Sequence, residues 1–577
     1  MRLSFRLALA PSGKTLPPGD VAAPPTFELP QARLWTAAPV IELGDAGWIV
    51  GPVFRRAMPS GRITDLDPAE CQAIVTTRGQ TLLDRYWGGY VALLIGGDGT
   101  LSVIRDPSGM MPCYLQPGES LVTLASDMTA LAARGQVTID YRALARMFAG
   151  IDTIGRKTGI AGIEELLPGE RLRITSTRNQ VEQAWIPWDH VHPVKGQDFE
   201  EAAKILGATL KDNIGAWSTC FDQILVGVSG GLDSSIVAAA LGPRTPHLRC
   251  LTMVEPGTDG DERRYVDALI QKLGVQLDAP TYDLDAVNVM RPVLPHFPLP
   301  YAAHFFQAIA GEHRSIAGEE PVSAYFSGNG GDNVFCSLNS AAPFADRLLA
   351  NGPGLALVAT TRDLADLTGS GMIEVARQGW ARIRRRRSGH RIRRDLSGLG
   401  PSAIAAAMAE EDRHPWLTAP PGTLPGKAAH VAMLARAQKS IELYPRADAP
   451  PQIAPLLSQP IVELCLSIPS WHWVRGGRDR AVARAAFAGI LPDLLLERTT
   501  KGSPSGFIQR IYAAQGAAAR SMLIGGRLVE AGLIDSRWLV QSSDGDWQDD
   551  GRHLRILTFA AAETWVRWWT DPEDNDH

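Results

Sequence analysis

Short apolar runs broken by glycine, proline and aspartate fill the first third of the chain. Gly47-Trp48-Ile49-Val50-Gly51, Tyr90-Val91-Ala92-Leu93-Leu94-Ile95 and Leu101-Ser102-Val103-Ile104 are each strand-length. Gly-Gly-Asp-Gly between the last two predicts a tight turn and a hairpin. Met1 to Ala10 reads as a first strand, because Arg6 interrupts an apolar stretch too short for a signal peptide core. Residues 1–190 are thus expected to form one mostly β domain, followed by a polar linker around 186–200. Phe199 to Trp217 has helical apolar spacing. The pattern then alternates. Ile224 to Val228 reads as a strand and Ser235 to Leu241 as a helix. Leu248 to Val254 reads as a strand, and Asp261 to Ile270 as a helix with acids in its first turn, where the helix dipole favours them. Such alternation predicts a doubly wound parallel sheet with helices on both faces, over residues 200–577. Ala428 to Leu443 and the tail to Trp569 read as further helices, with the acidic last residues frayed.

Composition narrows the class. A chain of 577 residues exceeds one core, so two or three domains are expected. Hydrophobic residues at 45% and charged ones at 21% are ordinary for a globular protein. A net charge of −5 implies no global field for nucleic acid. Cys71, Cys113, Cys220, Cys250, Cys336 and Cys465 are scattered without a C-x-x-C pair. This argues against a zinc site or disulfide framework and fits a reducing, cytoplasmic setting. No apolar run approaches the roughly 20 residues that a membrane helix needs. The strongest charge run is Arg382 to Arg387 with Arg391, Arg393 and Arg394. It reads as a solvated segment or as a docking patch for an acidic partner.

Two glycine turns carry the candidate chemistry. In the first, Val228-Ser229-Gly230-Gly231-Leu232-Asp233-Ser234 lies between the Ile224 strand and the Ser235 helix. Strand, glycine turn and helix together present backbone N–H groups and a helix N-terminus to an anion. Asp233 would repel bare phosphate, so it suggests a bridging cation, most simply Mg²⁺. There is no Lys as in a P-loop, and no G-x-G-x-x-G. The second turn, Ser327-Gly328-Asn329-Gly330-Gly331-Asp332-Asn333, follows the apolar run Ala324 to Phe326. Asp332 offers a second carboxylate for Mg²⁺, the plain alternative being an Asx-turn. In a parallel sheet both turns fall at C-terminal strand ends, where ligands bind.

The first turn resembles the pyrophosphate loop of ATP pyrophosphatases, and the second resembles the S-G-x-G-x-D-E-x-F segment of asparagine synthetases. Arg105 to Tyr114, Leu124 to Asp127 and Gly162 to Glu170 resemble, in order, segments of the glutaminase domain of the same family. Ala454 to Leu464 and Leu491 to Gly502 resemble its later segments, and Arg478 and Arg480 fall near the family's basic helix start. The resemblance implies a degenerate, Ntn-type glutaminase-like domain and an α/β ATP pyrophosphatase domain. It implies ATP contacts from Val228, Ser229, Gly230, Gly231, Asp233, Ser234, Met253, Ser327 and Gly328. It also implies Mg²⁺ between Asp233 and Asp332, and a catalytic Lys501 that stabilises developing charge. The family's nucleophile is an N-terminal Cys, whereas position 2 is Arg2 and no Cys precedes Cys71. A working glutaminase is therefore not expected. Asn329, Asn333 and Ser458 depart from the family on what is expected to be the acceptor side.

The second turn and Leu-Leu-Ser-Gln-Pro are similar to lasso peptide cyclases. That similarity implies adenylation of an Asp or Glu side chain of a leader-free core peptide and ring closure by the peptide's N-terminal amine. It further implies a leader-binding protein and a leader peptidase as partners, and neither nucleic acid nor membrane. Three alternatives stay open: a β-lactam synthetase-like closure of a small β-amino acid, an asparagine synthetase-like amidation, and a catalytically dead ATP-binding scaffold.

Overall fold

The computed structural model describes residues 2–11, 14, 16, 24–150, 155–192, 198–242, 245, 247–255, 261–385, 394–409, 412–438, 442–500, 502–541 and 551–572. Its amino-terminal strands are β1 Phe5–Leu9, β2 Phe27–Leu29, β3 Ala32–Thr36, β4 Val40–Glu42, β5 Gly47–Val50, β6 Val53–Arg55, β7 Arg62–Ile63, β8 Tyr86–Gly88, β9 Val91–Ile95, β10 Leu101–Arg105, β11 Tyr114–Gln116, β12 Val122–Ala125, β13 Glu164–Glu165, β14 Glu170–Ile174 and β15 Asn179–Gln183. They form two six-stranded sheets, ordered β13-β11-β12-β1-β3-β2 and β15-β14-β10-β9-β5-β4, and a small sheet β7-β6-β8. The expected hairpin is β9–β10, paired antiparallel from Val91 opposite Arg105 to Ile95 opposite Leu101. In β14 the residues alternate, with Leu172 and Ile174 buried and Arg171 and Arg173 facing outward. Leu7 and Leu34 of the first sheet and Leu93 and Val103 of the second join one buried apolar cluster.

The carboxy-terminal sheet comprises β16 Ile224–Gly227, β17 Leu248–Leu251, β18 Gln276–Asp278, β19 Ala324–Ser327 and β20 Gln452–Ile453. Its order is β18-β17-β16-β19-β20, and every pair is parallel. From β16 the chain steps outward to β17 and β18, then returns to lay β19 on the other side of β16. The order therefore reverses between β16 and β19, and a crevice opens beyond their C-terminal ends.

Four local expectations need correction. The second strand ends at Leu251 rather than Val254, which instead bridges Thr281. The following helix spans Arg263–Leu273, so Asp261 and Glu262 precede it instead of filling its first turn. The later helix spans Pro425–Ala437 and stops well short of Leu443. The segment expected as a linker is partly packed structure. Pro187–His190 is a 3₁₀ turn with buried Trp188, and Trp185 stacks on His190 at 5.4 Å. Residues 193–197 of that stretch lie outside the described residues. Of the arginine run, Arg382, Arg384 and Arg385 end the helix Met372–Arg385, and Arg394 donates to the Ala407 carbonyl at 3.2 Å. The rest of the run lies outside the described residues.

The two parts share one core. Phe54 stacks on Trp87 at 4.5 Å, and Trp217 of the helix Phe199–Ser218 packs edge-on against Phe54 at 5.3 Å. Glu463 accepts two hydrogen bonds from Arg56, at 2.6 and 2.9 Å, and one from Trp185 Nε1 at 2.9 Å. Burial pushes the Glu463 carboxyl up, but the Arg56 guanidinium wins and holds it below the ordinary range. Among the described residues, no helix is long and apolar enough to cross a membrane.

Candidate active site

The site begins with the register of β16 against β19, which pairs Gly227 with Ser327 and so releases both glycine turns side by side. Val228 N–H donates to the Leu251 carbonyl at 2.8 Å and ties the first turn to the neighbouring strand end. Ser229 N–H donates to Ser234 Oγ at 3.2 Å, folding the turn over the start of the helix Leu232–Leu241. Among the described residues no side chain caps that helix, whose first turn carries Asp233. A side chain on either of two glycines would separate the turns. A Cβ on Gly328 would stand 2.4 Å from Ser234 N, and one on Gly331 would stand 2.3 Å from Asp233 Cγ. The resulting cleft, about 260 Å³, is lined by Gly227, Ser229, Gly231, Asp233, Ser234, Gly328, Asn329, Gly330, Gly331, Asp332 and Asn333.

The two aspartates singled out in the sequence do converge. Among the described residues, Arg480, 247 positions from Asp233, lies between them. Its Nη1 donates to Asp332 Oδ1 at 2.6 Å and to Asp233 Oδ2 and Oδ1 at 2.9 and 3.0 Å. Its Nε donates to Asp479 Oδ2 at 2.6 Å, and Asp479 also accepts from Arg484 Nη2 at 2.7 Å. Burial alone would lower the Arg480 pKa. Asp233, Asp332 and Asp479 reverse that and lift it above an already high value. Hard carboxylate oxygens from two turns thus point at one position that holds positive charge. That donor set fits Mg²⁺, which Asp233 and Asp332 could hold.

A second arginine pins the first turn. Arg498 Nη1 donates to the Gly230 carbonyl at 2.9 Å, and Nη2 donates to Glu262 Oε1 at 2.5 Å. Its guanidinium lies over the Tyr265 ring at 4.0 Å. Glu262 also accepts from Gly502 N–H at 3.0 Å, which explains why it stays out of the helix that follows. The sequence places Arg480, with Arg478, near the family's basic helix start and Arg498 within the last family-like segment, but assigns neither a role. That placement was their only signal, since no local pattern reports a partner more than 200 positions away.

The other expected positions divide. Ser327 ends β19, and Met253, two residues past β17, packs against the small apolar cluster of Leu225, Leu251, Ile316 and Tyr325. Lys501 lies outside the described residues, between Arg498 and Gly502, which are both anchored on Glu262. Of the three departures, Asn329 lines the cleft, and its side-chain oxygen accepts from Gly330 N–H at 3.0 Å. Asn333 reaches the cleft, but its amide donates to the Met433 carbonyl at 2.7 Å. Ser458 is fully buried, accepts from Trp217 Nε1 at 2.9 Å and donates to the Pro455 carbonyl at 2.7 Å. Its assignment to the acceptor side is therefore corrected: Ser458 holds the core together. In the amino-terminal part, Cys113 is buried and its thiol is pushed up to about 12, and burial also raises Cys71.

A family profile described as Asparagine synthase matches residues 222–567, and one described as Glutamine amidotransferase domain matches residues 69–186. The first covers more than half of the chain, so the chain belongs to the asparagine synthase family, whose synthetase domain forms amide bonds at the expense of ATP. The expected fold class holds: a glutamine amidotransferase, Ntn-like domain precedes a parallel-sheet synthetase domain. No curated protein matches the sequence significantly. Two solved structures are similar in part. One is a glutamine phosphoribosylpyrophosphate amidotransferase from B. subtilis complexed with ADP and GMP, 13% identical over 50% of this chain and 77% of that one, with a TM-score of 0.19. The other is described as the allosteric regulatory enzyme of purine biosynthesis, 12% identical over 51% and 76%, with a TM-score of 0.19. At that TM-score neither adds to the family matches.

Proposed function

We propose that this protein is an ATP-dependent lasso peptide cyclase. A side-chain carboxylate of an Asp or Glu in a leader-free core peptide attacks the α-phosphorus of ATP, and pyrophosphate leaves. The peptide's own N-terminal amine then attacks the acyl-adenylate, loses a proton and expels AMP, which closes an isopeptide ring. The observation that carries this reading is the contrast between the two halves. The cleft beside Asp233 and Asp332 is assembled, while the cysteines described in the amidotransferase part are thiols raised by burial. With no activated thiol there to release ammonia from glutamine, the amine comes with the substrate. The resemblance read in the second turn and in Leu-Leu-Ser-Gln-Pro supports a peptide as that substrate, and with it a leader-binding protein and a leader peptidase as proposed partners.

In this reading the turn from Ser229 to Ser234 cradles pyrophosphate with backbone N–H groups and hydroxyls. Mg²⁺, when held by Asp233 and Asp332, supplies neutralisation of phosphate charge. Arg498 keeps the turn closed, and Lys501 stabilises charge on the leaving group. Incubation of the purified protein with ATP, Mg²⁺ and candidate core peptides should release AMP and give a product lighter by one water. Absence of AMP with every peptide bearing a free amine and an internal Asp or Glu would overturn the reading. Conversion of glutamine to glutamate by the same protein would favour the asparagine synthetase-like alternative.

A further inference from the structure

Arg480 stands where a divalent cation would stand. One nitrogen, Nη1, bridges carboxylates from two different turns at 2.6 to 3.0 Å, and only about a tenth of the side chain is exposed. The guanidinium is fixed from its other edge by Asp479, itself held by Arg484. The backbone at Arg480 is left-handed, with φ of +50°, a conformation that costs a non-glycine residue free energy and persists only where surrounding contacts impose it. The clamp is thus built from both sides.

We propose that Arg480 is an internal surrogate for the divalent cation, which makes metal binding at Asp233 and Asp332 contingent on the nucleotide. A dication arriving alone must displace a buried guanidinium from the oxygens it needs, at a separation where the two positive charges repel. A metal arriving with ATP brings a polyphosphate, and that anion gives Arg480 a new partner within the same cleft. The metal and the nucleotide therefore enter together, and Arg480 passes from carboxylates to phosphate as they do. Arg480 acts here as a positioning residue. This rests on the reading of the cleft as an ATP site, but not on any peptide substrate.

The test is Mn²⁺ binding to the full chain, read by electron paramagnetic resonance, with and without an α,β-methylene ATP analogue. The wild type should bind Mn²⁺ at least about tenfold more weakly without the analogue than with it. Arg480→Gln should tighten nucleotide-free Mn²⁺ binding by about tenfold or more, the size expected when a neighbouring positive charge is removed. Adding Asp332→Asn should abolish that gain. Asp479→Asn keeps the Arg480 guanidinium and removes the charge that anchors it and Arg484, so it should tighten Mn²⁺ binding in the same direction by a few-fold. It also serves as the test if Arg480→Gln does not fold. Nucleotide-free affinity within twofold of wild type in the folded variants, or tight Mn²⁺ binding by the wild type without nucleotide, would overturn the proposal. Absence of AMP release by the wild type with every candidate peptide, with these metal affinities as expected, would count against the proposed function and leave the role of Arg480 standing.

Discussion

Gly331 shows how much the site depends on single atoms. Its missing side chain lets Asp233 lie against the second turn, since a Cβ would sit 2.3 Å from Asp233 Cγ. Gly331→Ala should cost about 1–3 kcal/mol by overpacking. It should also abolish the rise in melting temperature that ATP with Mg²⁺ confers on the wild type. Calorimetry with and without nucleotide checks both effects, and an unchanged nucleotide response would contradict the geometry. Asp233 and Asp332 were legible in the sequence because each sits in a short strand–glycine–acid pattern whose chemistry is local. Arg480 was noted only for its place near the family's basic helix start, because its role exists only once the backbone brings a segment 247 positions away onto Asp233. Ser458 errs in the other direction. Its motif position suggested a ligand contact, yet both of its hydrogen bonds are spent inside the core on Trp217 and Pro455.

Among the elements, the helix Gln459–Ser467 joins the two parts. It presents Glu463 to Arg56 and Trp185, and Gln459 Nε2 donates to Glu463 at 2.8 Å. Glu463→Ala would leave the half-buried Arg56 guanidinium without its carboxylate and should destabilise the protein by about 3–5 kcal/mol. A drop in melting temperature checks this, with loss of the contact between the two parts read by limited proteolysis. A loss below about 1 kcal/mol would mean that the pair is solvated like an ordinary surface bridge. Sequence periodicity found the strands at Gly47–Val50, Val91–Ile95, Leu101–Arg105, Ile224–Gly227 and Ala324–Ser327 and the helices Phe199–Ser218 and Arg552–Thr570, but it named none of the helices between Ala342 and Met408. It misplaced the ends where a tertiary partner took over. Glu262 leaves the helix for Arg498 and Gly502, and the expected linker is packed by Trp185 and Trp188.

For the whole molecule, buried histidines oppose folding in acid, while buried carboxyls such as Asp106 and Asp346, raised to about 6, act with the opposite sign. His296 is buried, and desolvation pushes its pKa down to about 3 from an ordinary value of 6.5. Below pH 6.5 the unfolded chain takes up a proton that the folded one refuses, so stability falls as pH drops from 6.5 towards 3. At pH 5 this single group should cost about 2 kcal/mol, at about 1.4 kcal/mol for each pH unit of mismatch. His304 and His313, both pushed down to about 4 by burial, act with the same sign. His296→Phe, beside Phe297, should lose less stability than the wild type between pH 7 and pH 5. Melting temperatures at the two pH values decide it, and equal losses would mean that His296 is solvated.

The sequence by itself determined the two-part organisation, the parallel sheet and the two glycine turns, because those follow from patterns a few residues long. The tertiary structure alone decided what stands between Asp233 and Asp332, which arginine pins the first turn, and that Ser458 and Glu463 belong to the core and the seam. Those are contacts across hundreds of positions, and they arise from the reversal of strand order at β16 and β19 and from the burial of aromatic and charged groups between the two parts. Local chemistry proposes a ligand. Only the packed chain shows which charge a cation must displace.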